Sequence, residues 1–129
     1  MNPNIAIKDR WVEAVLSGER DKVAELMDPD FTLQQPRGLA YAGLYRGPEG
    51  FFDFLDRFIA AYEIERLENV GTYLGEDPDR IILEFAFKGV FKPTGEAFDT
   101  SEFEPWVFRN GKVLNIRTFW FEMPRLPPE

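Results

Sequence analysis

The sequence predicts an α+β fold in which three N-terminal helices pack in a strongly curved, mostly antiparallel sheet, forming a cone. Helical spacing of apolar residues is confined to the first half of the chain. From Ile64 onward, alternating apolar runs are separated only by short turns, as in an antiparallel meander. A chain of 129 residues suits one domain with its own core. We expect that domain to cover residues 1–123, followed by a Pro-rich tail at 124–129.

The predicted helices follow from their end residues and apolar spacing. Pro3 opens the first helix, which presents Trp11 on its apolar face and ends at Gly18. A short second helix is predicted from Glu19 to Met27. The third begins at Gly47-Pro48-Glu49, where a proline and an acidic side chain suit the first turn. Its aromatic stripe, which we interpret as core, is Phe51, Leu55, Phe58 and Tyr62, flanked by Phe54 and Ile59.

The predicted strands begin before the third helix and dominate the chain after it. Phe31 to Gln35 alternates, which places Phe31, Leu33 and Gln35 on one face. An irregular connection follows at 37–46. Four longer strands are then expected at 64–74, 81–91, 98–109 and 112–122, with Leu83, Phe85 and Phe87 on one face of the second of them.

The last hairpin turns at Asn110-Gly111, a pair that favours a type I′ turn with Arg109 opposite Lys112. An unbroken register from this turn sorts the hairpin into two faces. The uncharged face, expected to line the interior, is Phe103, Pro105, Val107, Leu114, Ile116, Thr118 and Trp120. The face expected to meet a partner, because aromatics surround an opposed Glu104–Arg117 pair, is Glu104, Trp106, Phe108, Val113, Asn115, Arg117 and Phe119.

Composition restricts the chemistry more than any motif does. The chain has no histidine and no cysteine, which excludes Ser-His-Asp and Cys-His catalysis and zinc sites built on those ligands. A net charge of −8 without a basic face argues against nucleic-acid binding. No apolar run approaches the roughly 18 residues needed to cross a bilayer, and no secretory signal is evident. We therefore expect a cytoplasmic protein with neither a metal nor an organic cofactor.

Five short segments occur in order along nearly the whole chain. They are Trp11-Val-Glu-Ala-Val-Leu-Ser-Gly18, Asp28-Pro-Asp-Phe31, Gln35-Pro36, Tyr45-Arg-Gly-Pro-Glu-Gly50 and Phe108-Arg-Asn-Gly-Lys-Val113. Together they resemble the SnoaL-like branch of the nuclear transport factor 2-like superfamily. The resemblance implies a cone-shaped α+β fold, commonly dimeric through the outer sheet face. The superfamily's pocket serves isomerases, dehydratases, epoxide hydrolases, polyketide cyclases and non-catalytic binders, so the resemblance leaves the function open.

The resemblance does not supply a catalytic base. Steroid isomerases of this superfamily use a tyrosine in the first helix, an aspartate before the proline and an aspartate in the penultimate strand. The matching positions here are Trp11, Gln35 and Pro105, and none of these can remove a proton. The catalytic residues are therefore unknown at this stage.

Three polar residues are weak candidates for a catalytic role. Gln35 together with Tyr41 or Tyr45 would polarise a ligand carbonyl, with the tyrosines covering the mouth of the cone. Asp53 and Asp99 are carboxylates that would have to reach the mouth to act as a base.

The expected pocket suits an oxygenated hydrophobic small molecule such as a polyketide, a terpenoid or a steroid-like compound. Its predicted lining is Trp11, Leu33, Gln35, Tyr41, Tyr45, Phe54, Phe58, Phe85, Phe87, Pro105, Thr118 and Trp120. One hypothesis is a cofactor-independent cyclase, isomerase or dehydratase. The others are a non-catalytic binding protein and a protein-interaction module that uses the outward face with Trp106, Phe108, Arg117 and Phe119. The alternative to an open pocket is a cone simply filled by its aromatics. A homodimer interface is predicted at Glu104, Trp106, Phe108, Asn115, Arg117 and Phe119.

Overall fold

The three helices and the long strands follow one another in the predicted order, but a short strand, Gly43–Arg46, lies in the connection predicted to be irregular, and the last predicted strand is divided into Lys112–Arg117 and Phe119–Trp120. A computed structural model describes residues 2–124, so the predicted tail lies outside the described residues from 125 onward. The elements are α1 (Asn4–Ser17), α2 (Arg20–Glu25), β1 (Met27–Gln35), β2 (Gly43–Arg46), α3 (Gly47–Ala61), β3 (Tyr62–Leu74), β4 (Arg80–Phe91), β5 (Glu96–Arg109), β6 (Lys112–Arg117) and β7 (Phe119–Trp120). None of the helices within residues 2–124 is long and apolar enough to cross a membrane.

The helix ends show where local signals hold and where pairing overrides them. Gly18 ends α1 as predicted, because its positive φ of 75° is a conformation that glycine adopts without strain. The second helix is shorter than predicted, and Met27 begins β1 instead of ending α2. Met27 pairs with Val113, and the Val113 N–H donates to the Leu26 carbonyl at 2.9 Å. Sheet pairing thus claims residues that helical spacing had assigned to the helix.

Within residues 2–124 the strands form one open, seven-stranded sheet with the order β2-β1-β6-β5-β4-β3, and β7 pairs with β5. All pairs are antiparallel except β1–β6, which is parallel. The meander predicted for the second half of the chain is therefore confirmed. The curved inner face of the sheet packs on α3 through Phe51, Phe54 and Phe58, all of which are buried.

A glycine lets two neighbouring strands, β3 and β4, approach each other closely. A Cβ on Gly89 of β4 would lie 2.2 Å from the Glu63 carbonyl oxygen of β3, which is far inside van der Waals contact. Only glycine fits this approach, and Gly89 is buried there.

The last hairpin carries a bulge that the unbroken register did not anticipate. Arg109 pairs with Lys112 and Phe108 with Val113, as the Asn110-Gly111 turn predicts. The register then shifts by one, so that Leu114 is the extra, unpaired residue and the next pairs are Val107–Asn115 and Trp106–Ile116. Beyond such a bulge, each strand keeps its own alternation but the two strands no longer share the predicted faces.

The shift reverses the predicted orientation of β5. Trp106 and Phe108 are buried in the core, and Glu104 lies on the same inner face. The prediction that Glu104, Trp106 and Phe108 face a partner is therefore wrong. The same prediction for Val113 is wrong because Val113 is fully buried. The residues that lie on the outer face of β5 are instead Phe103, Pro105 and Val107. On the other strand Ile116 and Thr118 are buried, whereas Arg117 and Phe119 are exposed, on the sides expected for them.

Candidate active site

A cavity of about 100 Å³ lies inside the cone, between α1, α3 and the inner face of the sheet. Its walls are largely aromatic, and Trp11 makes edge contacts with Phe51 and Trp106 at centroid distances of 5.0 and 5.5 Å. Its full lining is Trp11, Val12, Val15, Leu16, Leu33, Gln35, Phe51, Phe54, Leu55, Phe58, Leu67, Asn69, Phe85, Glu102, Glu104, Trp106, Ile116 and Trp120. A cavity of about 150 Å³ is known to hold benzene, so this smaller space encloses at most part of a ring-sized ligand.

The cavity continues into a surface groove beside α1. Val12, Leu16 and Asn69 line both spaces, and Asp9 and Glu13 border the groove on its outer side. Part of a ligand too large for the cavity would therefore extend along α1 toward solvent.

Several residues predicted to line a pocket do line this cavity, namely Trp11, Leu33, Gln35, Phe54, Phe58, Phe85 and Trp120. The two candidate tyrosines do not cover its mouth, because both are buried in the core. The Tyr45 hydroxyl donates to the Tyr41 carbonyl at 2.8 Å, and the hydroxyls of Tyr41 and Tyr62 lie 2.6 Å apart. Burial raises the pKa of Tyr62 to about 12 and that of Tyr41 further still, so both hydroxyls stay protonated.

The remaining predicted lining residues also lie elsewhere. Phe87 is fully buried and stacks on Phe58 with ring centroids 5.4 Å apart, so it fills the cone instead of bordering the cavity. Pro105 is on the outer face of the sheet, opposite Ile82. Thr118 is buried behind the lining, where its hydroxyl accepts a hydrogen bond from the Gln35 side chain at 2.9 Å.

Neither carboxylate considered as a base from the sequence lies in the cavity. Asp53 is exposed on α3, where the Arg57 guanidinium donates to it at 3.3 Å. Asp99 is exposed on the outer face of β5.

Two other carboxyls, Glu102 and Glu104, do line the cavity. They stand two residues apart on the inner face of β5, opposite Phe85 and Leu83 of β4. Only 6% of Glu102 is exposed. The Trp106 indole N–H donates to Glu104 Oε1 at 3.1 Å, which fixes that carboxyl against the wall. This pair of side chains is called the carboxyl pair below.

The surroundings of the carboxyl pair favour its protonated forms. Burial, followed by the charge of Glu104, raises the pKa of Glu102 well above its usual range. Burial also raises the pKa of Glu104, and hydrogen bonds from Glu102 and Trp106 oppose that rise. Two adjacent carboxyls in an apolar space do not both ionise readily, so they share a proton, as in the dyad of aspartic proteases. A pair of carboxyls that holds one proton can both take up and release a proton.

The carboxyl pair was not predicted from the sequence because the two faces of β5 were assigned from the β5–β6 hairpin, which contains a bulge. The β4–β5 hairpin has no bulge and gives the correct faces. The turn between β4 and β5 gives an unbroken register, from Phe91–Glu96 through to Arg80–Val107. Phe85 and Phe87 were already predicted to face inward from their alternation. Counting from that turn would have placed Glu102 opposite Phe85 and therefore inside the cone.

Two further polar groups of the lining lack partners. Gln35 Oε1 and Trp120 Nε1 are buried and make no hydrogen bond to residues 2–124. Buried polar atoms are nearly always paired in folded proteins. These two atoms, with the carboxyl pair, make one side of an otherwise apolar cavity polar.

The arrangement of helices, sheet and inner cavity agrees with a match in sequence. The family model for the SnoaL-like domain matches residues 9–116. The chain belongs to the SnoaL-like family. No match is found among curated protein sequences. This SnoaL-like chain therefore shares a family and a fold with known proteins, while the residues of its cavity have to be judged on their own geometry.

Solved structures show the same nuclear transport factor 2-like fold at low sequence identity. Bal32a, from a soil-derived mobile gene cassette, is 20% identical, with 93% of this chain and 90% of that chain covered and a TM-score of 0.79. TerC, co-crystallised with polyporic acid, is 18% identical, with 92% and 91% covered and a TM-score of 0.77. A putative SnoaL-like polyketide cyclase from Mesorhizobium loti is 22% identical, with 89% and 97% covered and a TM-score of 0.70.

Proposed function

We propose that this protein is a cofactor-independent enzyme that binds a small oxygenated apolar molecule in the cone and moves a proton on it with the carboxyl pair. The observation that carries the proposal is that the buried Glu102 and the half-buried Glu104 line the same largely apolar cavity. Isomerisation, cyclisation and dehydration all require a proton to be removed and another to be delivered. A carboxyl pair that holds one proton offers both capacities in one place.

Each residue of the pair has a distinct part in the proposed step. The ionised Glu104 carboxylate, held by the Trp106 N–H, takes a proton from a carbon next to a ligand carbonyl. The Glu102 carboxyl returns a proton to the ligand, and the proton taken up by Glu104 then passes to Glu102, which restores the starting state of the pair. The aromatic walls exclude water, which strengthens the interaction of the pair with charge that develops on the ligand. No group other than the carboxyls has to change protonation.

Relatives support a small-molecule ligand for this pocket. TerC, which has this fold, was crystallised with polyporic acid. A second structure shows a Mycobacterium tuberculosis protein in complex with estradiol-17β-hemisuccinate; it is 18% identical to this chain, with a TM-score of 0.71. That comparison covers 93% of this chain and 95% of the other.

The proposal is tested by the isomerisation of cyclohex-3-enone to cyclohex-2-enone, which absorbs more strongly in the ultraviolet. The reaction removes a proton from C2 and returns one at C4, and the substrate is a single ring that the cavity and the adjoining groove can hold together. We expect wild-type protein to accelerate it and both E102Q and E104Q to lose about a hundred-fold or more of that rate. D99N, which changes an exposed carboxylate on the opposite face of β5, is the matched control. Equal rates in wild type and both glutamine variants would refute the role of the pair.

A non-catalytic binding protein is the second candidate, and the size of the cavity favours it. A space of about 100 Å³ leaves little room for a substrate to change shape between ground state and product. This candidate predicts that cyclohex-2-enone binds to the protein while cyclohex-3-enone is not isomerised. Binding without turnover would therefore replace the enzyme proposal and keep the pocket.

We also propose a homodimer formed by the outer face of the sheet, with a membership different from that predicted. Phe103 pairs with Phe119, and Ile82 lies on the neighbouring strand; these side chains are 40, 51 and 42% exposed. The Arg117 guanidinium lies 5.5 Å from the centre of the Phe119 ring. An apolar, aromatic patch with an arginine at its side has the composition of a protein interface.

A further inference from the structure

We infer that the natural ligand places a hydroxyl group inside the cavity, and that Gln35 and Trp120 select it. The inference rests on the proposed use of the cavity as a ligand pocket. It names the chemical class of that ligand and the two side chains that recognise it. The carboxyl pair acts on the ligand, whereas these two residues would decide which ligand is held.

Two buried polar atoms of the lining, Gln35 Oε1 and Trp120 Nε1, lack hydrogen-bond partners among the described residues. Gln35 is only 5% exposed, and its Nε2 already donates to Thr118 Oγ1 at 2.9 Å, so the amide presents its oxygen to other partners. A buried acceptor and a buried donor that both belong to the lining of one cavity call for a ligand that supplies the complementary groups.

The positions of Gln35 and Trp120 place these two atoms on the side of the cavity that carries the carboxyl pair. Trp120 pairs with Glu102 across β7 and β5, and Thr118 is the buried residue between β6 and β7, two positions before Trp120. Gln35, which is bonded to Thr118, therefore borders the same polar side of the cavity as the carboxyl pair. A ligand group bound by these atoms would stand next to the carboxyls that are proposed to transfer the proton.

A hydroxyl group complements both the unpaired donor and the unpaired acceptor. A hydroxyl can accept from the Trp120 N–H and donate to Gln35 Oε1, which satisfies both atoms. A carbonyl or an ether oxygen only accepts, so it satisfies Trp120 alone, and a hydrocarbon satisfies neither. Sites that are built to bond a hydroxyl reject analogues that lack it, because their own buried polar atoms then stay unpaired. The volume of about 100 Å³ encloses at most part of a ring-sized ligand.

The test compares three probes of similar size: phenol, anisole and toluene. Dissociation constants are measured by ligand-observed NMR for wild type, Q35M and W120F, with thermal unfolding as the check that each variant is folded. In wild type we expect phenol to bind at least about ten-fold more tightly than toluene, with anisole in between. Partition from water alone would favour toluene, so this order requires specific hydrogen bonds.

The variants separate the two contacts. Q35M should abolish the preference for phenol over anisole, because the acceptor for the hydroxyl is gone. W120F should weaken phenol and anisole alike while leaving toluene within about three-fold of its wild-type affinity. Equal binding of the three probes to wild type, absence of any binding, or ratios that both variants leave unchanged would overturn the inference. The wild-type series alone decides the matter if a variant does not fold.

This result is independent of turnover. Loss of isomerase activity in E102Q together with a normal phenol-to-toluene ratio supports both the proposed function and the inference. A missing ratio in a protein that still isomerises cyclohex-3-enone overturns only the ligand class. A normal ratio in a protein that binds cyclohex-3-enone but does not isomerise it overturns only the enzyme.

Discussion

Replacing Glu102 by glutamine should stabilise the protein increasingly as the pH rises. In the unfolded chain this carboxyl ionises near its ordinary value of 4.5, while burial keeps it protonated to a higher pH in the folded state. Below that ordinary value both states are neutral and the residue has no effect on the pH dependence of stability. Above it, the unfolded state loses its proton first, and the free energy of unfolding of the wild type falls by about 1.4 kcal/mol per pH unit until the folded carboxyl also ionises.

Glutamine removes this loss because it does not titrate. We therefore expect the difference in free energy of unfolding between E102Q and wild type to grow by about 1.4 kcal/mol for each pH unit above the ordinary value. Any cost of burying the amide is independent of pH and shifts the whole curve without changing its slope. Urea denaturation at a series of pH values from 4 to 8 measures the difference, with D99N as the exposed control. A difference that stays constant with pH in E102Q would show that Glu102 is ionised in the folded protein and would refute the shared proton.

Three further substitutions test the fold and its surfaces. Gly89→Ala should lower the free energy of unfolding by about 1–3 kcal/mol or more, measured in urea, because its Cβ would meet the Glu63 carbonyl oxygen at 2.2 Å. Tyr41→Phe should cost about 1–3 kcal/mol in the same assay, since it leaves the buried Tyr62 hydroxyl without its partner. Phe103→Glu should produce monomers on size-exclusion chromatography without loss of thermal stability; a dimer that persists would show that this face is not the interface.

The sequence was sufficient for the fold because each signal was local and mutually consistent. Pro3 and Gly18 bound a helix, the Asn110-Gly111 turn forms with positive φ at both residues, and alternation places Phe85 and Phe87 inside. These features depend on a few neighbouring residues and on the steric limits of the backbone. The chain that carries them could adopt few other arrangements.

The site could not be predicted as securely because it depends on register over a longer distance. One unpaired residue, Leu114, separates the alternation of β6 from that of β5, and nothing in its own chemistry distinguishes it from a paired strand residue. When the faces were assigned across this bulge without allowing for it, Glu104 and Trp106 were put on the outer face. The carboxyl pair was therefore not predicted. The hairpin between β4 and β5 has no such interruption, so it carried the information that the last hairpin lost.

The parallel pairing of β1 with β6 has a consequence for how the chain reaches its native state. Leu33 pairs with Ile116, and the neighbouring Thr32 pairs with Asn115, so one of the central contacts of the sheet joins distant parts of the chain. Such non-local contacts slow folding, because the loop must close before the contact can stabilise it. During synthesis, β1 cannot pair with β6 until nearly the whole chain has emerged. Until that pairing forms, the aromatic stripe of α3 lacks part of the cover that the complete sheet provides, and exposed apolar surface of this kind favours aggregation.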